Sequence, residues 1–443
     1  MSDLPRGFAA DVAPTPIPAE RLSWVDDLPT SVLNIHSTIA AAGGGVWLVG
    51  GAVREAMRER EPKDHDLATT LKPDEIEELF EHTIPTGKKF GTMTVVIDDI
   101  NHEVTTLRCE SGYQDGRHPD SVDLTDSLSL DLERRDFTIN AMAVDIGRRE
   151  LYDPHLGLSD LSAHRLRAVG SASLRLSEDG LRVMRAYRFL DQNDGAEWNT
   201  DLELELAMIE RQDMLQNVAM ERIWHEFRRI SSAYGAGRVL ARMAKDGVLD
   251  LIIGGSTAVD DRRIRVLRSV MIPIAAEMRF AVLLKDRDKD AVFATLKRLK
   301  APNAFIARVV EFHSWLGTAP IDSDEGLMRL FRNTVGEDIN EFLAVDEAWQ
   351  KEWGDIREGA FEDLRSRLRS VPRNKYTEPL ADGNWLMRQT GLGKGRRLGR
   401  LKNWLHRIQI ERDLTSLEEV EGVLCTLPWQ HGDENEWPTM TWP

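Results

Sequence analysis

The sequence predicts an α+β protein, an N-terminal α/β head followed by a long all-α remainder. Three observations carry this expectation. Val46-Trp47-Leu48-Val49-Gly50 reads as a buried strand that breaks at Gly50-Gly51 into a helix. Met93–Ile97 and His102–Leu107 flank Asp98-Asp99 in the manner of a hairpin. Beyond residue 165 the apolar spacing is helical almost to the end.

Taken in order, the first 25 residues are Pro-rich and acidic and read as a poorly ordered extension. A short helix follows over 29–42. After the strand at 46–50 come a helix over 52–60, a strand over 64–69 and a helix over 73–81, opened by Pro73. The polar stretch 109–126, with Gly112, Gly116 and Pro119, reads as a mobile loop beyond the hairpin. The expected division is an extension (1–28), a head (29–165), a neck (166–230), a helical body (231–350) and a helical tail (351–443).

Composition narrows the function classes. A chain of 443 residues exceeds what one hydrophobic core organises. Apolar content of 42% and charged content of 30% are ordinary for a globular protein. No apolar run is long enough to cross a membrane, and no secretory signal opens the chain. Cys109 and Cys425 sit in no metal spacing and read as free thiols of a reducing compartment, so the expected location is cytoplasmic. The net charge of −17 argues against nucleic-acid binding over the whole surface. A local patch remains open. Residues 383–412 carry Arg388, Lys394, Arg396, Arg397, Arg400, Lys402, Arg407 and Arg412 against Glu411, interleaved with glycines at 391, 393, 395 and 399. Such a run suits phosphate contact; a solvated helix face is the plain alternative.

Lys63-Asp64-His65-Asp66 is the first piece of chemistry. In a strand, alternate residues project from one face about 7 Å apart. Asp64 and Asp66 would then offer oxygen ligands to Mg²⁺ carrying a nucleoside triphosphate. Glu103 would be a third carboxylate if its strand neighbours 64–69. His65 points to the other face and reads as structural. Upstream, Gly50-Gly51 followed by Arg54 stands at a strand-to-helix junction, where backbone amides and a guanidinium can meet phosphate. An ordinary tight turn with a surface arginine would give the same letters.

These segments, in order, resemble the head of the class II CCA-adding enzymes and bacterial poly(A) polymerases. The matching residues are Leu48-Val49-Gly50-Gly51-Ala52-Val53-Arg54, Lys63-Asp64-His65-Asp66-Leu67-Ala68-Thr69 and Glu103-Val104-Thr105-Thr106-Leu107-Arg108. Asp115-Gly116-Arg117-His118-Pro119 is similar to the family's flexible loop, and Arg134-Arg135-Asp136-Phe137-Thr138-Ile139-Asn140-Ala141 to its ribose-selecting motif. Tyr152-Asp153-Pro154 with Asp160-Leu161 resembles the end of the head. Glu178-Asp179-Gly180-Leu181-Arg182 onward to Phe189 resembles the nucleobase-template helix, and Glu221-Arg222 through Glu226 the next motif. Met57-Arg58 and Gly180 depart from the family pattern.

The resemblance implies a nucleotidyltransferase head with a mixed β-sheet, followed by an all-α neck, body and tail. It implies that Arg135 binds the nucleotide, that Asp136 and Asn140 read the ribose 2′-hydroxyl, and that Arg185 and Arg188 belong to the nucleotide site. Asp179 and Arg182 would select the base. On the residues alone, the two share a helix face, with Ser177 as N-cap and Arg185 and Arg188 reaching phosphates or holding the aspartate. Aspartate only accepts and arginine only donates. Cytosine and adenine both present an amine donor beside a ring-nitrogen acceptor; uracil and guanine present the reverse. The implied activity is addition of C, C and A from CTP and ATP to the 3′ end of tRNA, with release of pyrophosphate. The acceptor arm would be held by Lys394, Arg396, Arg397, Arg400 and Lys402, and the loop at 109–126 would serve the switch from C to A. An A-adding-only enzyme, a poly(A) polymerase and an inert RNA-binding relative share much of this pattern. No membrane partner is expected, and a homodimer is compatible with the sequence.

Overall fold

The computed structural model describes residues 4–111, 121–193, 195–254, 261–270, 273–354 and 356–443. The chain divides into two compact units, Met1–Ile230 and Ser231–Pro443.

The first unit is built on a mixed seven-stranded sheet. Its strands are β1 (Val46–Val49), β2 (Leu67–Thr69), β3 (Thr83–Gly87), β4 (Thr92–Ile97) and β5 (Ile100–Thr106), then β8 (Ala143–Asp145) and β9 (Glu150–Tyr152). Between them, β6 (Arg108–Ser111) and β7 (Ser121–Leu124) pair as a separate ribbon. The sheet order is β3-β4-β5-β2-β1-β8-β9. Only β2 and β5 run parallel; the other neighbours are antiparallel. The hairpin between β4 and β5 turns at Asp98 (φ 52°) and Asp99 (φ 61°). Two successive positive φ angles make the turn whose twist matches the flanking strands. The polar loop expected at 109–126 instead starts and ends as the β6–β7 ribbon. Residues 112–120, which carry the Asp115–Pro119 motif, lie outside the described residues.

The helices of this unit are α1 (Leu22–Asp26), α2 (Thr30–Ala41), α3 (Gly51–Met57), α4 (Pro73–Leu79), α5 (Leu128–Glu133), α6 (Gly157–Ser162), α7 (Ala172–Glu178), α8 (Leu181–Phe189), α9 (Leu202–Glu210) and α10, which begins at Met220. Trp47 is fully buried in a cluster with Leu107, Leu128, Leu132 and Tyr152. At about 25 cal/mol per Å² of apolar surface, such aromatic burial is a principal stabilising term.

Two expectations are corrected here. Residues 4–25, part of the expected extension, do not hang free. Thr15 and Leu151 exchange backbone hydrogen bonds of 2.7 and 3.2 Å, which covers the edge strand β9. Ala10 and Val12 pack against the Trp47 cluster, and Arg148 donates to the carbonyls of Arg6, Gly7 and Phe8. Backbone bridging and capping need no apolar periodicity, so composition missed them. The strand expected over 64–69 begins at Leu67, leaving Asp64 and Asp66 just ahead of it. Its antiparallel partner β1 is four residues long and pairs only from Val46 to Leu48.

Among the described residues of the second unit the regular elements are all helices, as the spacing predicts. Its C-terminal tryptophans are core. Trp437 packs with Leu386, Leu401 and Leu405. Trp442 meets Phe331 edge-on at 5.1 Å and donates its indole N–H to Thr318 at 2.8 Å.

Candidate nucleotide site

The site assembles at the end of β1. Gly50 has φ 65° and ψ −123°, a conformation essentially confined to glycine. A Cβ there would stand 3.2 Å from the Nη1 of Arg135, so the missing side chain also lets that guanidinium approach the turn. Gly51 opens α3, and Arg54 follows within its first turns.

Beside this turn stand the carboxylates. The parallel register pairs Leu67 with Val104, so one step earlier Asp66, just ahead of β2, comes beside Glu103 on β5. Side chains one step earlier again point to the opposite face, where His102 bonds Ser31 of α2 at 3.0 Å. Burial, then the Glu103 and Asp64 carboxylates, push the Asp66 carboxyl up to about 6, against the opposing charge of Arg135. A half-buried acid facing two like charges is short of a cation. Among the described residues no three acidic, histidine or cysteine side chains close into a metal cage. Carboxylate oxygens of this kind are hard donors that suit Mg²⁺, which usually takes one or two carboxylates and completes its shell with water and substrate phosphates. His65 has its pKa lowered by burial, and the effect of Asp64 and Glu61 does not offset it.

Around the turn the arginines are bound into a network. Arg54 lies over the Phe189 ring at 5.0 Å, bonds Glu55 through Nε at 2.9 Å and donates to the Asn140 amide oxygen. Asn140 Nδ2 donates to Asp136 Oδ1 at 3.0 Å, and Arg185 Nε donates to Asp136 Oδ2 at 2.7 Å. Burial opposes the charge on Asp136, but Arg185 and the Asn140 hydrogen bond hold its carboxyl down at about 2. Arg188 covers Phe189 at 4.1 Å and donates to Glu226 at 2.5 Å, with its pKa pushed down to about 10 by burial. Phe189 thus gathers three guanidiniums, Arg185 standing at 5.4 Å. Cation–π contacts of this kind hold like charges together at modest cost.

The pair expected to read the base, Asp179 and Arg182, differs from the helical expectation. Ser177 is not an N-cap: it lies in the last turn of α7 and bonds back to the Ser173 carbonyl at 2.8 Å. Asp179 is extended (φ −142°, ψ 111°) between α7 and α8. A Cβ on Gly180 would lie 2.3 Å from the Met214 carbonyl oxygen, so this junction needs the glycine. Asp179 and Arg182 are therefore not two residues of one helix face. Arg222 donates to Asp179 Oδ2 at 2.8 Å, while Arg182 donates to the carbonyls of Arg175 (3.0 Å) and Arg134 (3.1 Å) and to Glu178. These three bonds leave two of arginine's five N–H donors for a base. Arg185 and Arg188, expected to reach phosphates or hold Asp179, hold Asp136 and Glu226 instead. Glu178, Arg222 and Phe189 stand inside the resembling segments, but the sequence reading assigns them no individual role. The spacing of Arg222 and Glu226, one helical turn apart on α10, is the signal that could have found Arg222.

In the second unit, Lys394 and Arg396 are exposed and Arg400 and Lys402 half-buried around the start of the helix Arg396–Arg412. Arg397 is otherwise engaged. It pairs with Glu434 at 3.1 Å, donates to the Trp429 carbonyl at 2.9 Å and lies over Trp437 at 4.9 Å. Its expected place in an RNA-binding set is corrected to a role in tail packing.

Comparison with known proteins places this arrangement. Residues 46–167 match the Poly A polymerase head domain. The CCA-adding enzyme of Streptococcus sanguinis is 33% identical over 373 residues, covering 83% of this chain and 90% of that protein. That of Lactobacillus johnsonii is 40% identical over 233 residues, and there the chain spans only 58% of its relative's length. The crystal structure of the Bacillus stearothermophilus CCA-adding enzyme in complex with CTP superposes with a TM-score of 0.71 at 26% identity, covering 90% of this chain and 96% of that one. Similarity over nearly the full length of the streptococcal protein, together with the shared head, shows that the chain belongs to the class II CCA-adding enzymes.

Proposed function

We propose that this protein adds C, C and A in turn from CTP and ATP to the 3′ end of tRNA, releasing pyrophosphate at each step. The observation that carries the reading is the junction between α7 and α8. It sets an acceptor, Asp179, and a donor, Arg182, three residues apart across a helix break, in a site that also holds the Gly50 turn and the Asp66–Glu103 pair. Asp179 accepts from the exocyclic amine of cytosine or adenine, and the free N–H groups of Arg182 donate to cytosine N3 or adenine N1. Uracil and guanine would leave a carboxylate and a guanidinium unpaired, each at about 1–3 kcal/mol. That suffices for discrimination of about 10²–10⁴.

Arg54 and Arg135, at the Gly50-Gly51 turn, hold the triphosphate. Asn140, bridging Arg54 and Asp136, faces the ribose with its amide. Asp136 and Asn140 together account for a preference for ribonucleotides. Asp64 and Asp66, with Glu103 beside them, are the residues that would hold Mg²⁺. Bound there, the ion supplies charge neutralisation for the triphosphate and Lewis-acid assistance to the 3′-hydroxyl. The chain's own contribution is positioning: phosphates over the turn, base against Asp179 and Arg182, attacking hydroxyl beside the carboxylates. Lys394, Arg396, Arg400 and Lys402 suit contact with the tRNA backbone by charge, which makes binding salt-dependent. Cytoplasmic location accords with two cysteines that are both free.

The test is incorporation of each labelled nucleotide into three tRNA transcripts ending at the discriminator base, at C and at CC, with Mg²⁺ present. Ordered addition of C, C and A that stops there is the expected result. A added only to the CC transcript would make this an A-adding enzyme, long A tails a poly(A) polymerase, and no addition an RNA-binding relative.

A further inference from the structure

Asp131 lies in α5, three and four residues ahead of Arg134 and Arg135, and its carboxylate is 1% exposed. Its two oxygens are divided between the two arginines. Oδ1 accepts from Arg134 Nε at 2.9 Å and Nη2 at 2.7 Å; Oδ2 accepts from Arg135 Nε at 3.3 Å and Nη2 at 2.9 Å. With Nε and Nη2 of Arg135 turned inward, Nη1 is the nitrogen left at the Gly50 turn, 3.2 Å from where a Cβ would be. Arg134, held by the other oxygen, presents its backbone carbonyl to Arg182 Nη2 at 3.1 Å. The backbone N–H of Arg108, at the root of the β6–β7 ribbon, points to Oδ1 at 3.4 Å.

We infer that Asp131 is a positioning residue for nucleotide binding: one buried carboxylate sets where the phosphate-facing edge of Arg135 and the base-facing Arg182 stand. Two adjacent guanidiniums repel each other unless an anion lies between them, and a planar fork bound edge-on can point its remaining N–H groups in only one direction. Without the carboxylate, Arg135 would regain rotamer freedom and turn toward solvent, and the triphosphate would have to reorder it on binding. The inference rests on the reading of Arg135 as a nucleotide-binding residue.

The experiment is a double-mutant cycle on the full chain with Asp131→Asn and Arg135→Gln, read as CTP and ATP dissociation constants by calorimetry and as KM and kcat on tRNA. Asp131→Asn is expected to raise the dissociation constant and KM for both nucleotides by about tenfold. Over the same comparison kcat should change by less than about threefold and tRNA affinity should hold, while the melting temperature falls because the anion between two guanidiniums is lost. If Asp131 acts through Arg135, the double variant binds nucleotide no more weakly than Arg135→Gln alone. Multiplying effects, or an unchanged KM in Asp131→Asn, overturn the inference. If Arg135→Gln weakens nucleotide binding and Asp131→Asn does not, only the positioning role falls; if Arg135→Gln has no effect, the reading of Arg135 falls with it. Should Asp131→Asn fail to fold, Asp131→Glu keeps the charge, moves it by one methylene and is judged by the same KM criterion.

Discussion

Arg222 holds Asp179. Its Nη2 donates to Oδ2 at 2.8 Å and its Nη1 to Oδ1 at 3.4 Å, joining α10 to the break between α7 and α8. The backbone N–H of Leu181 adds a third bond to Oδ1 at 3.0 Å. Asp179 thus has a fixed orientation before any base arrives, and its remaining lone pairs are those a base amine would use.

Removing that hold should blur selection without abolishing transfer. Arg222→Met is expected to lower the preference for CTP over UTP by about threefold to tenfold while tRNA binding is kept. Misincorporation measured with single nucleotides on the CC-lacking transcript decides it, and an unchanged ratio would show that Asp179 needs no such support. Arg182→Ala should go further and accept UTP or GTP readily, since it removes the donor itself.

Asp66 should trade stability for chemistry. Its folded-state carboxyl sits at about 6 against an ordinary 3.8, so folding favours the protonated form. The resulting penalty is absent below pH 4 and fully present above pH 6. Asp66→Asn should therefore stabilise the metal-free protein at pH 8 by about 1–2 kcal/mol, allowing for partial solvent screening, while removing nucleotide transfer. Thermal melts at pH 8 in a chelator check the first part. Loss of stability in the variant would count against the crowding of carboxylates described above. Asp64→Ala should likewise abolish transfer and leave tRNA binding nearly intact.

Asp136 has the opposite sign. Its carboxyl is held at about 2, below an ordinary 3.8, so it contributes stability that is complete above pH 4 and disappears as pH falls toward 2. The difference is worth about 2 kcal/mol. Urea midpoints of the wild type and Asp136→Asn should converge over that interval; parallel curves would mean that Arg185 and Asn140 do not stabilise the charged form.

Arg148 ties the N-terminal segment to the sheet by donating to Gly7 at 2.9 Å and to the buried Asp145 at 2.8 Å. Arg148→Ala leaves Asp145 without its charged partner and frees the segment, at an expected cost of about 2–3 kcal/mol. Limited proteolysis should then cut ahead of Thr15 faster than in the wild type. Equal cutting rates would show that the Thr15–Leu151 bridge suffices alone.

Local readings succeeded where a residue's chemistry is set by its immediate neighbours. Gly50-Gly51 marked a strand end and a conformation that only glycine tolerates. Asp98-Asp99 marked a hairpin, and both residues take the positive φ that such a turn demands. Helical spacing beyond residue 165 followed from apolar periodicity, which every buried helix must display. The helix expected to start at a Ser177 cap and carry both Asp179 and Arg182 failed because the chain breaks where Gly180 meets the Met214 carbonyl, a contact 34 residues away that no local pattern encodes.

By itself, then, the sequence determined the order of elements, the acidic and arginine-rich motifs and their resemblance to a family, because periodicity, turn chemistry and motif spacing are properties of contiguous residues. Tertiary structure alone decided which arginine serves which acid. Asp136 takes Arg185, Glu226 takes Arg188 and Asp179 takes Arg222, each pair 38 or more residues apart in sequence. Any of these cations could neutralise any of these anions, and only the fold brings each guanidinium within hydrogen-bond reach of one carboxylate.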